Sequence, residues 1–451
     1  MKKIKSRKLL LLYGCSGLGV NLLGMIMGSY LCSALVASGF ESNSEIWTYL
    51  NKDIVIVLLW GALNTVVKIF DGVVDIPISA LFDNLKTRWG RRRPSILIGL
   101  VFTVLSFVLF ALVTPENAEN SLLNTIWYAV ILMVFYSAYT LTMLAYYATF
   151  SEIVDNDKDR AFLSNTKSIC DVVYFSVSFA LVPVFVNVLG MNIRYAALLF
   201  LPLALTMLIP IFMIKEPSTK DGVLEEGPKE ERVSLAKSFA YSMKDKNYIF
   251  WLVILMVMNF GLQLFLSGIN EFFSTTEANM TFVMASAFAP VPFTLQIYNK
   301  LMKKRGLKFA YQYALLMFSV GMTLMFFSQW VPSAYINYFA ILCGVVTSFG
   351  IGAFFSVTYM IPSQLAAEAI ARDGERGASS MYFAVQGLFE AIAAGLATGI
   401  VLNSLKLYGG VPILTNVVAF FCMAAFVLAF FMPKSIAVLG REKPSTDEDH
   451  V

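Results

Sequence analysis

Apolar stretches long enough to cross a lipid bilayer recur along almost the whole of this 451-residue chain. The hydrocarbon core is ~30 Å thick, so a spanning helix needs about 20 predominantly apolar residues. Twelve such windows can be drawn, at roughly 9–38, 53–82, 95–113, 125–150, 167–190, 194–214, 247–271, 280–299, 309–331, 337–361, 379–404 and 412–432. Hydrophobic residues make up 58% of the chain and charged residues 14%. A water-soluble fold has no interior large enough for that much apolar surface, so lipid must be the solvent for much of it. The expectation is an all-α membrane protein with twelve transmembrane helices.

The basic residues test that count independently. With twelve spans, every Lys and Arg outside the membrane falls on the side of the termini, except Lys52, Arg194 and Lys406, while Lys68 lies within the second window. Such asymmetry is the positive-inside pattern for an even number of spans with both termini cytoplasmic, in a cell membrane. Adding or removing one helix scrambles it. Topology also accounts for the net charge of +4, which therefore calls for no nucleic-acid partner.

Other classes find little support. The apolar run at the N-terminus exceeds the ~7–15 residues of a signal-peptide core, so it is kept as the first helix. The five cysteines fall in predicted spans without metal or disulfide spacing. The single histidine is His450 in the tail, and no Walker or zinc motif is present, which argues against an enzyme or an ATP-driven pump. No charged ring or filter marks an ion channel.

The longest polar stretch follows the sixth window. It includes Glu225-Glu226-Gly227-Pro228-Lys229-Glu230-Glu231-Arg232, a solvated linker by composition. It suggests an N-terminal six-helix bundle over 1–214, a cytoplasmic linker over 215–246, a C-terminal bundle over 247–433 and a cytoplasmic tail over 434–451. The halves carry an internal repeat: Gly90 pairs with Gly306, Glu152 with Glu368, and Arg160 with Arg376, at one constant offset. Six plus six helices in parallel repeat is the plan of the major facilitator superfamily, whose halves enclose a site near the bilayer midplane. The charged residues at these span ends (Asp83, Arg91, Glu152, Arg160, Glu368 and Arg376) are candidates for gating contacts that form and break as the halves rock. The alternative is that they only signal topology.

The second window places Lys68, Asp71 and Asp75 at i, i+3 and i+7, on one helical stripe. Charges at membrane depth are expensive and mark ion or substrate pathways. Two carboxylates one turn apart offer hard oxygens suited to Na⁺, Li⁺ or a shared proton. A plain buried ion pair of Lys68 with Asp71 is the competing explanation, and it leaves Asp75 unaccounted for.

This block, Asp71-x-x-x-Asp75 followed by Trp89-Gly90-Arg91-Arg92-Arg93-Pro94, resembles the second-helix signature of the glycoside–pentoside–hexuronide:cation symporters (melibiose permease-like). Tyr13-Gly14, Gly19, Tyr139-Thr140 and the stretch from Glu152 to Arg160 resemble that family too, and the Val385-Gln386 region extends the likeness into the second half. The resemblance implies that Asp71 and Asp75 hold the coupling cation with help from Thr140. It also implies a sugar site, but there the sequence departs. Asn21 and Met143 stand where the family has acids, Tyr147 stands at the aromatic that stacks on the sugar, and the family's lysine in helix eleven is absent, with Glu390 beside its place at Ala391.

The expected function is a Na⁺-, Li⁺- or H⁺-coupled symporter moving a sugar, glycoside or related small polar solute by alternating access. Asn21, Lys68, Tyr147, Gln386 and Glu390 are the candidate substrate contacts. No cofactor beyond the coupling cation is expected, and the chain is expected to act as a monomer in the bilayer. A lipid or lysophospholipid carrier of the same fold is the alternative, kept alive by apolar replacements such as Met143.

Overall fold

A computed structural model describes residues 4, 6–40, 44–83, 85, 87–90, 92–149, 153, 157–216, 218, 235–276, 278–373 and 378–439. Among them, eleven helical segments are long and apolar enough to cross a membrane. Helix is the physical consequence of the composition, because in hydrocarbon each backbone N–H and C=O must find its partner within its own segment.

The long helices run in chain order. They are α1 (Arg7–Leu35), α2 (Val57–Asp83), α3 (Arg92–Leu112), α4 (Leu122–Ala148), α5 (Asp157–Pro183) and α6 (Ile193–Met213). After the linker come α7 (Lys246–Ser274), α8 (Met280–Arg305), α9 (Leu307–Trp330), α10 (Ser333–Asp373), α11 (Ala378–Gly395) and α12 (Val411–Phe431). The element that falls short as a span is α5. Its apolar part is Val173–Val188, because Lys167, Ser168 and Asp171 occupy the preceding turns. Helix α10 overshoots its window and runs to Asp373.

The chain divides into two compact units. Unit 1 comprises Met1–Arg232, Gln263–Met284 and Ala391–Leu414, and unit 2 comprises Val233–Leu262, Ala285–Glu390 and Thr415–Val451. Unit 1 thus includes the end of α7 and the region following α11.

Within unit 1, α1 breaks at Ser16–Gly17 and loosens to a π turn over Met27–Leu31. Small residues let its neighbours come close. A Cβ on Gly19 would strike the backbone of Leu203 in α6. The end of α11 continues as a π segment, Leu396–Leu402, against α2. There Thr65 Oγ1 donates to the Gly395 carbonyl at 2.9 Å.

One repeat pair is visible in geometry. Gly90 before α3 and Gly306 before α9 both adopt left-handed backbone, with φ of 81° and 89°, which glycine alone enters without cost. In unit 1, the Glu216 carboxylate lies where a Gly90 side chain would begin and accepts the Arg92 N–H at 2.8 Å. In unit 2, the Ala437 carbonyl fills the same place beside Gly306, and Leu307 N–H donates to the Leu439 carbonyl at 3.0 Å. Each turn is thus packed against chain that follows the last helix of its half of the sequence.

Candidate functional site

In unit 1, α4 carries Tyr136, Tyr139 and Thr140 at i, i+3 and i+4, a spacing that puts them on one face. All three engage polar groups of α1 and α2. Thr140 Oγ1 donates to Asp71 Oδ1 at 3.3 Å. Lys68 Nζ donates to the Tyr136 hydroxyl and lies 4.0 Å above the centre of the same ring. Among the described residues, Lys68 and Asp71 are bound to these two hydroxyls and not to each other. The buried ion pair considered from sequence is therefore not how these charges are held.

Asn21 on α1 is buried and accepts the Tyr139 hydroxyl proton at 2.8 Å. It joins α1 to the helix that carries Thr140. Tyr147 lies two turns further along α4, about 10 Å by helical rise. Its ring is 5.4 Å from that of Tyr146, and Lys167 Nζ of α5 stands 4.9 Å from the Tyr147 ring centre. One face of the expected stacking aromatic thus carries a cation. Met143 between them is buried.

Asp71 with Thr140 supplies a carboxylate and a hydroxyl, oxygen ligands that suit a hard monovalent cation or a proton. The backbone of α2 carries Asp75 one turn on, and its side chain lies outside the described residues. So do the side chains of Asp83, Arg160 and Glu368, and the whole of Arg91, Glu152 and Arg376. Among the described residues no cluster of three or more His, Cys, Asp or Glu forms a metal site.

In unit 2, Gln386 and Glu390 sit one turn apart on α11. Trp251 Nε1 of α7 donates to Gln386 Oε1 at 3.0 Å. Gln386 Nε2 donates to the Thr358 carbonyl at 2.8 Å and to Glu390 Oε1 at 2.9 Å. Asn259 Nδ2 donates to the Glu390 carbonyl at 3.0 Å. Three residues back from Glu390, a Cβ on Gly387 would meet nothing within 4 Å, so open space adjoins this face of α11.

Sequence reasoning missed a second charged couple in unit 1. Lys406 Nζ meets Glu271 Oε1 at 2.9 Å with neither side chain exposed. The same ammonium donates to the Ser33 carbonyl at 2.8 Å and lies 5.3 Å from the Phe40 ring centre. A signal was available: the sequence sets Lys406 apart as one of three basic residues expected on the side away from the termini, and Glu271 closes the seventh apolar window.

The family model described as "MFS/sugar transport protein" matches residues 12–439. An "uncharacterized symporter" of Synechocystis sp. is 33% identical over 111 residues, which are 24% of this chain and 20% of that protein. A "lactose permease" of Lactobacillus helveticus is 28% identical over 157 residues, 34% of this chain and 24% of that protein. The matched regions therefore span a quarter or less of those relatives. Among solved structures, the nucleoside transporter NupG aligns with TM-score 0.62 at 13% identity, covering 94% of this chain and 98% of that one. A bacterial homolog of the lysosomal transporter Spinster aligns with TM-score 0.60 at 12% identity, covering 97% and 99%. At such identities the likeness shows the fold alone. The family model and the symporter and permease relatives agree with the resemblance carried by the second helix, and these relatives are transporters and not enzymes.

Proposed function

This chain belongs to the MFS/sugar transport protein family, a multi-pass membrane transporter of small molecules, and from that premise we propose that it is a cation-coupled symporter for a sugar, glycoside or related small polar solute. The observation that carries the reading is Asp71, a carboxylate at membrane depth that accepts a hydroxyl from Thr140 and no proton from Lys68. A carboxylate held so lightly keeps lone pairs for Na⁺, Li⁺ or H⁺, whereas one locked in an ion pair does not. Asp75, one turn along the same stripe, completes the proposed site. Asn21, Lys68, Tyr147 and Glu390 are the proposed solute contacts, and both termini are proposed to lie in the cytoplasm of a monomeric carrier in the cell membrane.

The test is cation-dependent thermal stabilisation of purified protein in Na⁺, Li⁺ or choline, followed by saccharide uptake into proteoliposomes. A cation at ~100 times its Kd adds about 2.7 kcal/mol of stability. That increment should vanish in Asp71→Asn and Asp75→Asn. Stabilisation that persists in both variants would put the coupling ion elsewhere.

The amphiphile-carrier alternative draws on one feature, an apolar groove of ≈ 390 Å³ on α2, α3 and α4 lined by Phe70, Ile78, Phe102, Met133, Val134 and Leu141. Stabilisation by lysophospholipid and by no saccharide would favour it.

A further inference from the structure

We propose that Trp251 and Gln386 are positioning residues, which fix the Glu390 carboxylate so that its second oxygen meets the solute's hydroxyls. This rests on the reading of Glu390 as a solute contact given above. It also moves Gln386 from the direct contacts to the groups that act through another.

Trp251 carries an indole N–H, a donor only. It is fully buried and points at the Gln386 amide at 3.0 Å. A donor facing an amide requires the amide oxygen on that side, so the usual O/N ambiguity of a glutamine is resolved by chemistry. The amide nitrogen must then face the other way. Both of its N–H bonds are taken there, by the Thr358 carbonyl at 2.8 Å and by Glu390 Oε1 at 2.9 Å. Gln386 has no donor left for a ligand. Its function in this arrangement is to hold Oε1 of Glu390.

Glu390 is tied at a second point by Asn259, which donates to its main-chain carbonyl at 3.0 Å. Its other carboxylate oxygen has no hydrogen-bond donor among the described residues. Gly387, at i−3 on the same helical face, leaves space beside it. A carboxylate with one oxygen clamped and one open presents an acceptor in a fixed direction. Vicinal hydroxyls of a saccharide meet such an acceptor only in the right stereochemistry, so the clamp discriminates between epimers. Freed of it, the carboxylate would rotate and lose both affinity and discrimination.

The experiment is uptake of lactose and its epimer cellobiose into proteoliposomes. The proteins are wild type, Glu390→Gln, Trp251→Phe, Gln386→Leu and the two doubles with Glu390→Gln. A hydrogen bond to a charged group governs roughly a tenfold change in affinity. Trp251→Phe and Gln386→Leu should each raise KM about tenfold with little change in maximal rate, and bring the lactose-to-cellobiose ratio towards unity. In the Glu390→Gln background the same changes should add less than about twofold, because coupled residues do not contribute independently. Equal effects in both backgrounds, or none in the wild type, would overturn the positioning role while leaving Glu390 a solute contact. An unchanged KM in Glu390→Gln alone, or no uptake of either sugar by the wild type, would overturn the underlying reading and this proposal with it. The epimer ratio is independent of how much protein is folded, so it decides the matter even if Trp251→Phe lowers the yield.

Discussion

Lys406 and Glu271 meet at 2.9 Å with both side chains sealed from solvent, whereas Lys68 and Asp71, one turn apart on α2, are each held by a hydroxyl of α4. Both couples belong to unit 1 and both have opposite charges within reach. They differ in what surrounds them. Lys406 is enclosed by the Ser33 carbonyl, the Phe40 ring and the backbone of Gly39, whose missing side chain leaves room for the lysine methylenes. Its charge is answered inside the protein, and it ties the segment that follows α11 to α1 and α7. Lys68 and Asp71 keep their capacity to bind something else. The closed pair fastens segments of unit 1 together, and the open couple is the one proposed above as part of the cation site.

The largest effect should come from breaking the closed pair on one side. Lys406→Met leaves Glu271 buried without its cation, a loss of about 3–5 kcal/mol read as a drop in the melting temperature of purified protein. Replacing both partners, in Lys406→Met with Glu271→Met, should recover most of that loss, since the remaining groups match each other. Failure to recover would mean that Lys406 acts mainly through Ser33 and Phe40.

Lys68→Met sharpens the contrast. It should cost ~1 kcal/mol or less in stability, because no carboxylate is stranded at bonding distance. It should also tighten Na⁺ binding severalfold, because one positive charge near Asp71 is gone. Titration of the cation-induced melting shift measures both. A stability loss as large as that of Lys406→Met would show the two couples to be alike.

The smallest change in cation binding is expected of Tyr136→Phe, which deletes the acceptor for Lys68 and keeps the ring beneath it. About 1 kcal/mol of stability should be lost, with Na⁺ affinity reduced as Lys68 is released to compete for Asp71. Cation titration of the variant in parallel with Lys68→Met checks the opposite signs.

The helical content, the order of spans and the stripe holding Lys68 and Asp71 were legible in the sequence because they follow from local rules. Hydropathy fixes which segments lie in lipid, and helical periodicity fixes which residues share a face. The glycine turns at Gly90 and Gly306 were equally readable as a repeated pair, and both have positive φ. The partners of the charges were not readable. From sequence, Lys68 could pair with Asp71 or stand apart, and only the approach of α4 gives it Tyr136. Gln386 was read as a solute contact, yet Trp251, remote in the chain, takes its oxygen and turns its nitrogen towards Glu390.

Sequence alone thus determined that this chain is an all-α membrane protein with a charged stripe in its second helix, since the solvent each residue needs is written in its own side chain. The tertiary structure decided which charges are fastened to one another and which remain open. A hydrogen bond is settled over a few ångströms, and the groups that share those ångströms, such as Lys406 with Ser33 and Glu271, come from segments more than a hundred residues apart that only helix packing brings together.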